Sequence, residues 1–403
     1  MKVMQDNPDG VNAANVVVGI AACGERTFLA EAVEQVDREL SAHYSGRSMA
    51  LVCCDTNSNE ALQRDFMQIH TKSPKIYLTG ANGDTGKGSH LMLLLEIAIE
   101  LSSAAVVVIS PERSLSMRHL VRNLCEPLFQ NYHFVAPLYL HRKYSGPFTS
   151  HLAYPLLRAL YGRRVRQPLG EEFGFSGRMA HILHEAELRQ PSGSGTRVWM
   201  TTTAMRSKVA LIQSFLGPPG EDASATFSEA SEDELKGVLQ AMFELMCRHQ
   251  EFWKQVKWSK PTALFGVGPS SGDSPPPVNL DAQQLQEQVS RRLHKHWDLC
   301  KAILEGQNLS DLDRFVADFS ADKGFPPELW ALIVYDVAVA FKRAFVPRDD
   351  LLDVLLTLYY AKTLWFVMET RAMTTEQVEV SIENQCLVFE QTKPYLLQRW
   401  FDH

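Results

Sequence analysis

Four short clusters in this 403-residue chain carry side chains able to hold a phosphate, a ribose or a base. They are Ala22-Cys23-Gly24-Glu25-Arg26, Asp55-Thr56-Asn57-Ser58, Gly83-Asp84-Thr85-Gly86-Lys87-Gly88 and Ser110-Pro111-Glu112. A carboxylate such as Asp55 can accept hydrogen bonds from a base or ribose, and a lysine flanked by glycines, such as Lys87, can approach a diphosphate closely. Together they suggest a nucleotide. Singly each has a plainer reading. Gly86-Lys87-Gly88 lacks the G-x-x-x-x-G-K-[ST] spacing of a Walker loop, which leaves Lys87 as a solvated turn residue, and Asp55 alone reads as a helix N-cap or turn residue.

Each cluster follows a short apolar run. Strands are expected at Val16 to Ala21, Ala50 to Cys54, Lys75 to Leu78, Ala105 to Ile109 and Phe134 to Tyr139, with helices between them at Phe28 to His43, Glu60 to His70, Ser89 to Leu101 and Ser116 to Asn131. This alternation, up to about residue 215, reads as α/β with a parallel sheet. Ligands of such sheets collect at the carboxyl ends of the strands, which is where the clusters fall. From about residue 228 only long helices are expected. Ser231 with Glu234, and Thr374 with Gln377, read as capping boxes ahead of helices Leu235 to Trp258 and Val378 to Arg399. Gly266 to Asn279, which contains three consecutive prolines, reads as an exposed linker or long loop. The expected division is a flexible N-terminus over 1–14, an α/β domain over 15–227 and a helical domain over 228–403.

Composition narrows the partners. The chain has 40 Lys and Arg against 47 Asp and Glu, a net charge of -7, so nothing global draws it to nucleic acid or an anionic membrane. With 45% hydrophobic and 22% charged residues it is not disordered throughout. Small molecules or protein are the expected partners. Seven cysteines, an odd number with no C-x-x-C pair, suit a reducing compartment, and a cytoplasmic location is expected. No apolar run approaches the roughly 18 residues of a membrane span. Val16 to Cys23 also passes for a lipoprotein signal, but acidic Asp6 and Asp9 precede a short apolar stretch that a buried parallel strand explains better.

In the order of these pieces the chain resembles the retaining GT-A glycosyltransferases, family 2-like, that make glucosylglycerate, mannosylglycerate and glucosyl-3-phosphoglycerate. The resemblance covers residues 15 to about 225, and the helical tail is similar to the C-terminal extension of the glucosylglycerate-synthase-like members. Its most specific segment is Ala136 to Gly177, APLYLHRKYSGPFTSHLAYPLLRALYGRRVRQPLGEEFGFSG, followed by Val198-Trp199-Met200-Thr201-Thr202-Thr203. Val17 to Glu25, Val33 to Asp37, Asp55 to Ser58 and Gly86 to Gly88 agree with it.

That resemblance implies a GT-A fold, a Rossmann-like nucleotide-sugar-binding sheet followed by an all-α domain. It implies transfer of a hexose from GDP- or UDP-glucose or mannose to a small carboxylate such as D-glycerate, yielding a compatible solute. Asp55 would hold the nucleoside with Ala22, Glu25 and Ser110 beside it, and Gly86 and Lys87 would meet the diphosphate. The Gly146 to Thr149 turn, with Thr149 its donor, would receive the acceptor carboxylate. Leu169 would present its carbonyl near the anomeric carbon, where the acceptor attacks on the leaving-group face without a protein nucleophile. Glu171 and Glu172 look like paired acids for glycoside hydrolysis, but neighbours in an extended segment point to opposite sides, so the pair need not share a substrate, and the resemblance makes Glu172 the site residue. Phosphoglycerate-using relatives carry an arginine where Pro147 stands, so an unphosphorylated acid is expected. Arg142, Lys143 or the Arg163-Arg164-Val165-Arg166 run are the alternatives for binding a phosphate, and the plainer reading of that run is a solvated helix end.

Several positions depart from the family pattern. A divalent cation, Mg²⁺ or Mn²⁺, is implied through an Asp-x-Asp motif and a later histidine, but here Ser110-Pro111-Glu112 replaces the first and Gly217 to Asp222 covers the second. Glu112 with Glu221 or Asp222 is the expected ligand set. Arg197 stands where relatives have a carboxylate that contacts the donor sugar. It neutralises the diphosphate, marks relaxed selection on catalysis, or points into solvent. His181 and His184 with Glu185 read as surface residues. Trp330, Tyr335, Phe341, Tyr359, Tyr360 and Trp365 read as core or dimer interface rather than a sugar platform, and a homodimer is a reasonable expectation. Two rival functions are a non-catalytic binding protein that kept the fold and a nucleotidyltransferase, for which Ala22 to Arg26 is a poor loop.

Overall fold

The computed structural model describes residues 3–21, 27–55, 59–80, 89–115, 117, 119–140, 143–186, 195–217, 231–268, 282–317 and 324–402. Within them one sheet is built from β1 (Val3–Asp6), β2 (Val16–Ala21), β3 (Met49–Asp55), β4 (Lys75–Gly80), β5 (Ala105–Ile109), β6 (Phe134–Tyr139), β7 (Phe173–Ser176), β8 (Leu211–Gly217) and β9 (Ala263–Phe265). Its strand order is β1-β4-β3-β2-β5-β7-β6-β8-β9. β2 pairs in parallel with both β3 and β5, so the chain runs outward from β2 through β3 to β4 and then returns to the other side. The β2/β5 boundary is therefore the topological switch point at which such sheets bind ligands. β7 is antiparallel to β5 and β6. β2, β3 and β5 are buried almost end to end, which is why they carry runs of Val, Ile, Leu, Cys and Ala with no alternating polar face.

The helix Leu29–His43 buries Leu29, Ala32, Val33, Val36 and Leu40, one stripe at helical spacing. Asp37 joins that buried face and accepts the Lys72 and Ser73 N–H groups at 2.8 and 2.9 Å, fixing the turn that leads into β4. The expected strands are present with small changes of length. Three features differ. Residues 1–14, expected to be flexible, contain β1, which pairs with β4. The expected helix over 116–131 spans only Leu120–Phe129, because His119 before it adopts a left-handed backbone, φ 58°. The sequence predicts no strand after Tyr139, yet the sheet continues through β7 and β8, and Ala263–Phe265 extends it as β9 against β8.

By packing, the chain divides into two units that are each discontinuous in sequence. One comprises Met1–Leu140, Gln167–Ala223 and Thr262–Asp273, and the other His141–Arg166, Ser224–Pro261 and Ser274–His403. The sheet belongs to the first. The sequence-based limits, 15–227 and 228–403, instead leave 141–166 with the sheet, although these residues pack with the helical unit.

In the helical unit, Thr149–Ala153 (a π-helical turn) and Tyr154–Tyr161 accompany Glu232–Arg248, Ala282–Ile303, Gly306–Ala317, Pro327–Arg343, Arg348–Thr370 and Thr375–Phe401. The α/β class and the helical C-terminal region expected from the sequence are both present. Trp330, Tyr335, Phe341, Tyr359, Tyr360 and Trp365 are all buried, in keeping with the core reading. Thr374 and Gln377 do form a capping box. The helix expected over 235–258 instead breaks at His249, whose Nδ1 meets the Tyr161 hydroxyl at 2.8 Å, and resumes as Gln250–Trp253. Arg348–Thr370 is long and apolar enough to cross a membrane, although Asp353 and Lys362 interrupt its apolar run in the sequence. Of its most apolar window, 83% is buried within the protein.

Candidate functional site

The sheet register aligns the candidates of the first unit. Ala21 pairs with Cys54, Ile20 with Ile109, and Val108 with Phe173. The residues one step beyond are therefore neighbours along the carboxyl edge: Asp55 after Cys54, Ser110 after Ile109, and Glu172 immediately before Phe173. Three expected site residues, far apart in sequence, lie in one row across the switch point.

Asp55 is fully buried, and its Oδ2 accepts the Asn59 N–H at 2.5 Å and the Tyr77 hydroxyl at 2.7 Å. Burial, reinforced by this carboxylate, raises the pKa of Tyr77 and keeps its hydroxyl a donor. Asn59 in turn caps the helix Glu60–Gln68 by accepting from Ala61 and Leu62. At this oxygen Asp55 thus performs the plainer role, organising the turn after β3. Ser110 stands before the short helix Pro111–Ser114 without a side-chain capping bond.

The segment from Gln167 to Phe173 gathers two of the three expected catalytic residues, Leu169 and Glu172, and the third, Arg197, reaches it from the helix Gly195–Arg206. Gln167 Oε1 accepts the Tyr139 N–H at 2.8 Å, and Thr201 donates its hydroxyl to the Pro168 carbonyl at 2.9 Å. Gly170 lies against Pro137, where a Cβ would come within 2.1 Å of the ring, so only glycine fits this close approach. Glu172 is fully buried and accepts a short hydrogen bond from the Tyr139 hydroxyl. Glu171 turns the other way and pairs with Arg197 at 2.7 Å, its side chain 43% exposed against 19% for the arginine. The same Arg197 nitrogen reaches the Leu169 carbonyl at 3.4 Å. Arg197 therefore does not simply project into solvent. It borders a small recess with room for about one water molecule, lined also by Phe134, Pro137, Gln167, Gly170, Phe173, Met200 and Thr201.

Three participants are not apparent from the sequence. Tyr139 ends a strand and reads as structural, Glu171 gives way to its neighbour, and His90 carries no motif of its own although it closely follows the Gly-Lys-Gly cluster. His90 has a buried Nδ1 with no hydrogen-bond partner among the described residues. Burial, then the charge of Arg197, lowers its pKa to about 4 against an opposing pull from Glu171.

Gly146 and Thr149, the expected acceptor residues, belong to the helical unit. Gly146 has φ +58°, and its carbonyl accepts the Ser150 N–H at 3.1 Å, so Thr149 lies in a first helical turn whose N–H groups have no internal acceptor. Two of the basic residues suggested as phosphate partners are otherwise engaged. Arg166 makes a two-pronged pair with Glu379, both contacts 3.0 Å, and Lys143 donates to the Arg371 and Met373 carbonyls. Arg166 is buried, which corrects the solvated reading of its run.

Ala22, Glu25, Gly86, Lys87 and Glu221, with Arg142 and Asp222, lie outside the described residues. Glu112 is exposed at the start of its helix. Among the described residues no group of three or more His, Cys, Asp or Glu could hold a metal ion. His181 and His184 are exposed, as expected of surface residues.

No family model matches the chain, and no curated protein does. Among solved structures it is similar to glucosyl-3-phosphoglycerate synthase from Mycobacterium tuberculosis in complex with Mg²⁺ and UDP, at 20% identity and a TM-score of 0.43, over 58% of this chain and 79% of that one. The same enzyme with Mn²⁺, UDP-glucose and phosphoglyceric acid matches at 18% identity and a TM-score of 0.41, over 58% and 79%. A structure described as a mycobacterial protein matches at 19% identity and a TM-score of 0.43, over 58% and 74%.

Proposed function

We propose that this chain is a retaining glycosyltransferase that moves a hexose from a nucleotide diphosphate sugar to a small carboxylate acceptor, with GDP-glucose or UDP-glucose and D-glycerate as the first pair to test. The observation that carries the reading is the row of Asp55, Ser110 and Glu172 along the carboxyl edge at the β2/β5 switch point, with Arg197 and the Leu169 carbonyl adjoining it. The sequence resemblance of Ala136 to Gly177 supports the same chemistry, and the acceptor class rests on the resemblance of Gly146 to Thr149 alone.

In this reading the acceptor hydroxyl attacks the anomeric carbon on the face from which the diphosphate departs. The C–O bond to the diphosphate breaks as the new glycosidic bond forms, and the departing phosphate oxygen takes the hydroxyl proton. The protein positions the partners and stabilises charge. Arg197 balances the negative charge growing on the leaving group, and Glu172, held by Tyr139, fixes the segment that presents the Leu169 carbonyl.

The test is calorimetric titration of the full chain with GDP-glucose and UDP-glucose, with Mg²⁺ and again with EDTA, followed by product analysis after D-glycerate is added. Binding with glucosylated product is the expected outcome. A second reading, a binding protein without turnover, is favoured by the Asp55 oxygen already engaged by Tyr77 and Asn59. Binding without product would establish it in place of the first.

A further inference from the structure

We propose that the loop over 254–260, together with Arg163 and Arg164, is a docking surface for an anionic lipid bilayer, with Trp258 as its anchor. The inference is independent of the transferase reading and adds to it a place where the chain works.

The sequence here departs from the rest of the chain. From Phe252 to Lys260 (FWKQVKWSK) there are three lysines and no acid, in a protein whose 47 acidic residues outnumber its 40 basic ones. Folding adds two more cations. Arg163 forms a β-bridge with Lys260, and the Arg164 N–H donates to the Lys260 carbonyl at 3.2 Å. Lys254, Lys257 and Lys260 are exposed and the two arginines half-buried, with Glu251 paired to Lys254 at the edge of the group. Trp258 stands among them, 61% exposed.

A lone exposed aromatic is commonplace, but this one is presented by a loop that the fold holds at both ends. Lys393 donates to the Trp253 and Val256 carbonyls at 2.7 and 2.6 Å. Beyond the indole, Ser259 donates its hydroxyl to Glu390 at 2.6 Å, and the Lys260 N–H donates to the Gly162 carbonyl at 3.0 Å. Gly162 packs so close that a Cβ there would lie 2.8 Å from Val256 and 3.3 Å from the Trp258 carbonyl. The backbone around Trp258 is therefore already ordered, and little further entropy is lost when the indole is buried by a partner.

The residue types select among anionic partners. Protein interfaces are depleted in lysine, and nucleic-acid strands are tracked by several stacking aromatics, whereas here one indole stands among lysines. Lysine is a hydrated point charge that suits a diffuse anionic layer better than a fixed fork of acceptors. Tryptophan settles at the bilayer interface, its ring against acyl chains and its N–H in the wet headgroups. The net charge of -7 opposes approach. At about 0.1 M salt, however, exposed charges more than ~10 Å from the bilayer are largely screened, while the loop touches it.

The experiment is flotation of the full chain with vesicles of phosphatidylserine and phosphatidylcholine in equal parts, and with phosphatidylcholine alone, at about 0.1 M salt. Wild type should float with the first and not the second, and about 1 M salt should release it. Trp258→Ala should weaken binding by about tenfold, and Lys257→Glu and Lys260→Glu by at least about fivefold each. Lys295→Glu, the same charge change at an exposed position of the helix Ala282–Ile303, should leave binding as it is. A loss with Lys295→Glu equal to that with Lys257→Glu would assign binding to overall charge and overturn the proposal. So would wild type that floats equally with neutral vesicles, or with neither kind. Retention on polyglutamate or single-stranded RNA without flotation would also overturn it, giving the surface to an acidic protein or a nucleic acid. Product formation from soluble substrates tests the transferase reading separately.

Discussion

His90 sits in a part of the protein where a positive charge on its ring is expensive to hold. The folded protein keeps His90 neutral down to a pKa of about 4, while the unfolded chain takes up a proton near 6.5. Between those values protonation favours the unfolded state, so the stability present above pH 6.5 falls as the pH drops toward 4, by roughly 3 kcal/mol in total. A series of urea unfolding curves across about pH 4–7 should show this acid limb, and His90→Asn should flatten it. An undiminished limb would assign the acid sensitivity elsewhere, with His151 the next group to replace, since burial together with Lys362 and Arg166 lowers its pKa as well. At this scale the sequence reveals residue type but not partnership. Asp55 and Ser110 are legible because each follows an apolar run, and Glu172 because the segment that holds it carries the family resemblance. Tyr139 with Glu172, and Arg197 with Glu171, are not, because each pairing depends on segments 33 and 26 residues apart meeting in space.

Helix ends in this protein are repeatedly closed by lysines from other elements. Lys75 donates to the Phe66, Met67 and Ile69 carbonyls at the end of Glu60–Gln68, and Lys143 to the Arg371 and Met373 carbonyls after Arg348–Thr370. Buried Lys393 serves Ala159, Trp253 and Val256 at 2.9, 2.7 and 2.6 Å. Each adds a donor at carbonyls near a helix end, with a charge that suits the negative end of the helix dipole. Lys393→Met should therefore cost about 2 kcal/mol, by taking the donor from the buried Ala159 and Trp253 carbonyls and the half-buried Val256 carbonyl, and the midpoint of urea unfolding measures it. A loss below about 1 kcal/mol would show that water replaces the ammonium. Elements defined by local pattern are readable in advance, among them β2, β5 and the capping box at Thr374. The break at His249 is not, since a side chain 88 residues away decides it. β7 also escapes a pattern search, because Phe173–Ser176 is four residues long and holds a glycine that passes under the Leu124 carbonyl.

On the scale of the whole molecule the chain crosses between its two units five times, since each unit is assembled from three segments. The segment 141–166 brings Arg158 and Arg166 into the helical unit. There Arg158 meets Glu390 at 2.7 Å and Ser259 at 3.0 Å, with Glu383 on its other arm, and Arg166 meets Glu379. No compositional boundary in the sequence announces this, because 141–166 lies within the continuous stretch Ala136 to Gly177 that reads as part of the α/β domain. A chain truncated after residue 227 would keep both arginines and lose every one of those glutamates. Such a fragment should be insoluble or unfolded by circular dichroism, as expected when a buried charge loses its partner. A soluble, cooperatively melting fragment would show instead that 141–166 can pack with the sheet alone.

The interleaving also sets a schedule for biosynthesis. Arg166 and Arg158 leave the ribosome 213 and 232 residues before Glu379 and Glu390, which neutralise them. At about 5–20 residues per second, that interval lasts on the order of ten seconds or more. Throughout it the helix Tyr154–Tyr161, with Arg158 on it and Arg166 after it, waits on the nascent chain without those partners. Both arginines stay hydrated until then, so the packing of 141–166 into the helical unit can be completed only after the last helix has been made.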